Sequence, residues 1–171
     1  MLFVFVGMPG VGKSSIGRYV ASKLKIKLVD VDRLIEKRTG ERLQSLLDKY
    51  GIDNFRRLEQ EALLSIIPNE NEHLIVSTGG SAIYSELGME HLKRYGKIIY
   101  LYSSYEVIRE RLGDFSGRGV VLKPGQDLLD LYNEREPLYK KYADITVSCN
   151  GWAFPLYRKR MLDEISKYIQ V

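Results

Sequence analysis

Apolar residues along this chain follow two alternating patterns. Short runs of strand length occur at Leu2 to Val6, Lys27 to Val31, Leu74 to Ser77, Ile98 to Tyr102 and Ile145 to Ser148. The first is apolar at every position, as expected of a strand covered on both faces. Between the runs, apolar residues recur at helical spacing, for example Ile16, Val20 and Leu24, and later Met161, Ile165, Tyr168 and Ile169. This alternation predicts right-handed βαβ units. The expected fold is α/β, three-layered, with an open parallel five-stranded sheet and helices on both faces. No repeat or linker interrupts it, so residues 1–171 are expected to form one domain. Residues 113–125, with four glycines and a proline, read as a mobile lid.

A phosphate-binding signature follows the first strand. Gly7-Met8-Pro9-Gly10-Val11-Gly12-Lys13-Ser14-Ser15 fits the pattern G-x-x-x-x-G-K-S/T, with a helical pattern directly behind it. Backbone N–H groups of such a loop curl round phosphate oxygens, and the positive end of the helix faces the same anion. Gly10, Val11, Gly12, Lys13, Ser14 and Ser15 are therefore the expected nucleotide-binding residues. Lys13 would place its charge at the β- and γ-phosphates, and the Ser14 hydroxyl would ligate the Mg2+ that bridges them.

The loop does not choose the phosphoryl acceptor, so that choice must be sought in the remaining polar positions. Asp30 and Asp32 lie one residue apart at the end of the second predicted strand, on one face of it. Asp30 suits a metal-bound water, and Asp32 suits an acceptor hydroxyl whose proton it would take. The plainer reading is solvated acids or a helix N-cap. In Phe55-Arg56-Arg57-Leu58-Glu59, Arg56 and Glu59 stand at i, i+3, where Glu59 could steady a guanidinium gripping a carboxylate. Gly79 and Gly80, after the third strand, allow close backbone approach to a ligand. Arg118, between two glycines of the lid, could swing over the phosphates, and Arg135 closes a helical pattern just before Pro137.

Taken together, these segments resemble the shikimate kinase family from Met1 to about Ser148. The phosphate loop, the Asp-x-Asp strand end, Phe-Arg-Arg-x-Glu, Thr-Gly-Gly and Arg-x-Pro-Leu-Tyr occur in the family's order. The resemblance implies MgATP-dependent transfer of the γ-phosphoryl group to the 3-hydroxyl of shikimate. It further implies Asp32, Arg56, Gly80 and Arg135 at the acceptor, with both arginines on its carboxylate. Asp30 would be the acid near magnesium, Asp32 the base, and Arg118, with Lys13 and Asp32, part of the catalytic set. Two segments depart from the family: its glycine triplet is here Gly79-Gly80-Ser81, and its Arg-Pro-Leu-Leu lid is here Arg118-Gly119-Val120-Val121. A kinase for another hydroxylated acid, or a nucleotide-binding regulator without turnover, are the competing readings.

Charge narrows the partners further. The net charge is +4 and the pI about 9.0, but 26 basic residues are scattered among 22 acidic ones without a basic block. Small anionic substrates are expected, with no nucleic acid and no membrane, in a monomer. The N-terminal apolar run is too short to span a bilayer and lacks the features of a leader, and a lone Cys149 fits a reducing compartment, so the cytoplasm is expected.

Overall fold

A computed structural model describes residues 1–114, 120–151 and 153–169. Its strands are β1 (Leu2–Val6), β2 (Lys27–Asp30), β3 (Leu74–Ser77), β4 (Gly96–Tyr102) and β5 (Ile145–Ser148). All pair in parallel, in the order β2-β3-β1-β4-β5. The helices are α1 (Lys13–Leu24), α2 (Val31–Thr39), α3 (Leu43–Leu64), α4 (Glu86–Tyr95), α5 (Tyr105–Leu112), α6 (Leu128–Tyr142) and α7 (Phe154–Ser166), with a 3₁₀ turn at Ala82–Tyr84. Every residue of β1 is fully buried, and because alternate side chains point to opposite faces, both faces of the sheet are covered at its centre. None of the described helices is long and apolar enough to cross a membrane.

Local chemistry sets several boundaries differently from the periodic pattern. Strand β2 stops at Asp30, because its carboxylate accepts from the Arg33 N–H at 3.3 Å and starts α2 there. Asp30 and Asp32 therefore do not share a strand face: one caps a helix and the other sits in its first turn. Strand β4 begins two residues before Ile98, at Gly96. Helix α6 does not end at Arg135. It opens on a reciprocal Asp127–Asp130 capping box and runs through Pro137 to Tyr142, so Arg135 lies in mid-helix and is 1% exposed. Helix α7 ends at Ser166, leaving Tyr168 and Ile169 beyond it. Helix α3 is broken at Gly51, whose φ of 74° and ψ of 175° are not helical.

The seam between β1 and β4 is unusually close at both ends. In the register Leu2↔Gly96, a Cβ on Gly96 would stand 1.9 Å from the Leu2 carbonyl oxygen. Where β1 gives way to the phosphate loop, a Cβ on Gly7 would stand 2.6 Å from the Leu101 carbonyl oxygen. This central pair of strands fixes the point from which the loop springs.

Candidate active site

From β1 the chain turns through the glycine-rich loop into α1. Gly12 makes the entry at φ 105°, a conformation that side-chain-bearing residues rarely adopt. Lys13, the first residue of the helix, is 9% exposed and donates through Nζ to the carbonyls of Gly7 at 2.8 Å and Met8 at 3.0 Å. Burial pulls its pKa down to about 8, while the nearby Asp32 carboxylate pulls the other way. Ser14 Oγ donates to Asp30 at 2.7 Å and lies 3.1 Å from Ser77 Oγ, a cluster made entirely of oxygen donors. Val11 turns its side chain into the core and donates its N–H to Met8. Ser15 Oγ accepts from Arg158 of α7 at 3.1 Å.

Across the loop lies a second set of polar groups. Asp32 is partly buried; desolvation raises its pKa to about 6, opposed by Lys13 and reinforced by Asp30 and Glu36. At the end of β3, Thr78 Oγ1 donates to the Phe5 carbonyl at 2.8 Å and closes β3 onto β1. The two glycines that follow leave room for side chains from three helices. A Cβ on Gly79 would lie 2.6 Å from Glu59 Oε1 and 2.9 Å from Asp32 Oδ1, and one on Gly80 would lie 2.8 Å from Arg135 Nη1 and 3.0 Å from Pro9 Cδ. Tyr139 donates to the Gly80 carbonyl at 2.6 Å, and Arg135 Nη2 donates to the Val121 carbonyl at 3.1 Å.

Glu59 has a different partner from the one its spacing suggests. It is 2% exposed and accepts from Ser81 Oγ at 2.7 Å, while its other oxygen, Oε1, has no hydrogen-bond partner among the described residues. Desolvation raises its pKa to about 7; the Ser81 bond lowers it, Asp32 raises it, and Arg135 and Arg56 lower it. No hydrogen bond joins Glu59 to Arg56. The guanidinium of Arg56 lies over the ring of Tyr84, 4.2 Å from its centroid, and it is Arg57 that pairs with an acid along the helix, Glu61 at 3.7 Å. The polar spacing was misleading because Glu59 points inward beside Phe55 and Ala62, toward Ser81, rather than along the helix surface.

These groups enclose a cavity of about 310 Å³. Gly10, Gly12, Lys13 and Ser14 form one side, Asp32, Thr78, Gly79, Gly80, Ser81 and Arg135 another, and Leu43, Phe55, Leu112, Val120 and Val121 supply apolar wall. Of the residues picked from sequence, Arg56 lines a neighbouring pocket of about 160 Å³, and Ser81 belongs to the linings of both. Arg118 lies outside the described residues, as do Gly117, Gly119 and Trp152.

Three participants near the site have no clear sequence signal. Arg111 donates to the carbonyls of Val11 at 3.3 Å, Cys149 at 2.7 Å and Gly151, fastening the loop after β5 to the phosphate loop. Tyr139 and Tyr84 look like ordinary helix and turn aromatics. Only Ser81, standing where a third glycine is expected, could have drawn attention to the Glu59 partnership.

The chain is similar to known proteins along most of its length. The family model described as "Shikimate kinase" matches residues 9–166. A shikimate kinase of Thermodesulfovibrio yellowstonii is 37% identical over 150 residues, covering 86% of this chain and 85% of the relative. One from Francisella tularensis subsp. novicida is 32% identical over 166 residues, covering 96% and 92% respectively. Among solved structures, a shikimate kinase from Acinetobacter baumannii in complex with shikimate superposes with a TM-score of 0.82 at 31% identity, covering 99% of this chain and 95% of that one.

Proposed function

The chain belongs to the shikimate kinase family, an ATP-dependent kinase family, and we propose that it transfers the γ-phosphoryl group of MgATP to the 3-hydroxyl of shikimate. The observation that carries this reading is the continuity of one cavity from the phosphate loop to Asp32, Gly80 and Arg135. A donor phosphate and an acceptor hydroxyl could meet there without an intervening wall.

In this reading Gly10, Val11, Gly12, Ser14 and Ser15 hold the phosphates, and Lys13 turns from the Gly7 and Met8 carbonyls to the charge that develops on transfer. Asp32 orients the acceptor hydroxyl and takes its proton, a task suited to a carboxylate raised toward neutrality. The Gly79 and Gly80 backbone carries the acceptor ring, Arg135 grips its carboxylate, and Arg56 reaches it from the neighbouring pocket. Ser14 and Asp30 are all-oxygen and 2.7 Å apart, which fits Mg2+, with Ser14 as a direct ligand and Asp30 acting through water. When bound, the ion would neutralise charge shared between the β- and γ-phosphates. Residues 113–125 would act as the lid, bringing Arg118 over the nucleotide within a single kinase domain. The buried, unpaired Cys149 accords with a reducing cytoplasm, where we expect a monomer acting on small molecules rather than nucleic acid or membranes.

ADP release coupled to a reporter enzyme, measured with shikimate and related hydroxy acids, tests the acceptor. Arg135→Lys should raise the acceptor KM by at least about tenfold with the ATP KM nearly unchanged, because a point charge cannot reproduce a bidentate grip. ADP release that is indifferent to shikimate would refute the assignment.

A further inference from the structure

The two arginines read as the acceptor clamp come from different helices, α3 and α6, yet share one aromatic neighbour. Tyr84, the last residue of the 3₁₀ turn that follows Gly79-Gly80-Ser81, has its ring centroid 4.2 Å from the guanidinium carbon of Arg56 and 5.5 Å from that of Arg135. Both distances are within the range of cation–π attraction. The Nε of each arginine is buried and has no hydrogen-bond partner among the described residues. The ring itself is held in place. Tyr84 Oη donates to Glu134, which also accepts from Lys123 Nζ at 3.1 Å and from Gln126 Nε2 at 3.1 Å.

Two guanidinium groups converging on one carboxylate repel each other before it arrives. An aromatic ring against both offers each cation a partner that, unlike a carboxylate, does not compete with the substrate for hydrogen bonds. We propose that Tyr84 is a positioning residue for the acceptor's carboxylate, its ring seating Arg56 and Arg135 together so that one anion meets both. The proposal rests on the acceptor reading given above. It makes Tyr84 a determinant of selectivity for carboxylate-bearing acceptors, acting through the arginines.

The test compares shikimate with its neutral carboxamide analogue in the wild type, Tyr84→Leu and Tyr84→Phe. Tyr84→Leu should raise the shikimate KM about tenfold, the size expected when two cation–π contacts are lost together. The ATP KM should stay within about twofold, and the carboxamide KM should hardly move. Tyr84→Phe keeps the ring and both cation–π contacts and should stay within about threefold of wild type for shikimate, the hydroxyl's bonds to Glu134 and Arg135 being what it loses. Should Tyr84→Leu not fold, Tyr84→Gln at this half-buried position carries the same expectation. Equal losses for both acceptors, or no loss for shikimate, would overturn the role of Tyr84. A wild type that does not prefer the carboxylate to the carboxamide would instead overturn the clamp itself, and this inference with it.

Discussion

Ser81→Ala offers a test of the buried Glu59 that can be worked through from the structure. The Ser81 hydroxyl donates to Glu59 Oε2 at 2.7 Å in a buried setting, and Oε1 has no partner among the described residues. A hydrogen bond to an ionised group contributes about 1.5–3 kcal/mol, against about 1 kcal/mol for a neutral pair. At 1.36 kcal/mol per pKa unit, losing the ionic bond should raise the Glu59 carboxyl by roughly one unit further. Its folded pKa, about 7, already exceeds the ordinary glutamate value of 4.5. Folding therefore favours the protonated form: this contribution to stability is complete below pH 4.5 and is lost as pH rises through 7. In the variant, that loss should continue to a higher pH. At pH 5.5 both proteins hold a protonated Glu59, and the substitution should cost about 1 kcal/mol. Near pH 9 the wild type keeps a serine-bonded carboxylate that the variant lacks, and the cost should reach about 2–3 kcal/mol. Urea unfolding of both proteins at the two pH values measures the difference. A cost independent of pH would mean that Ser81 does not act on the charge of Glu59, and the argument would fail.

Two predictions concern the phosphates. Lys13→Ala should lower kcat by roughly a hundredfold or more, the scale seen when a charge-stabilising donor is removed; single-turnover transfer in a variant with a wild-type melting profile measures it, and near-normal turnover would remove the assignment of the loop. Arg118→Ala should reduce kcat far more than ATP affinity if its contact forms mainly in the transition state, and a loss below about threefold, equivalent to about 0.65 kcal/mol, would return the lid arginine to an ordinary surface loop.

How much could be read from the sequence depends on which atoms do the work. Strand order and burial follow from side-chain patterning, and β1, apolar throughout and fully buried, was legible residue by residue. The phosphate loop was legible because Gly12 and Lys13 are needed for their own backbone and charge. What remained hidden runs through main-chain carbonyls or orientation. Arg111 binds the carbonyls of Val11 and Cys149, which leave no trace in residue identity. Arg135 was read as closing a helical pattern because Pro137 suggests a stop; the helix continues, and the guanidinium is buried against the Val121 carbonyl. Asp30 and Asp32 were placed on one strand face because an extended chain alternates, but the Asp30 cap turns the chain into a helix one residue too soon for that rule to apply.

The close seam of β1 and β4 has a consequence for variants found by screening. Gly96 lies at the amino end of β4, and at about 3.3 Å per residue it stands roughly 20 Å from the end that abuts the phosphate loop. A side chain there would strike the Leu2 carbonyl, a backbone atom that cannot move aside as a rotamer can. The strands would have to part or slide, carrying the departure point of the loop at Gly7 away from Leu101. Such a variant would lose nucleotide affinity and be scored as an active-site lesion although no ligand-facing atom had changed. Its signature would be a fall in cooperativity of unfolding that accompanies the loss of binding, whereas damage confined to the loop would leave the unfolding transition intact.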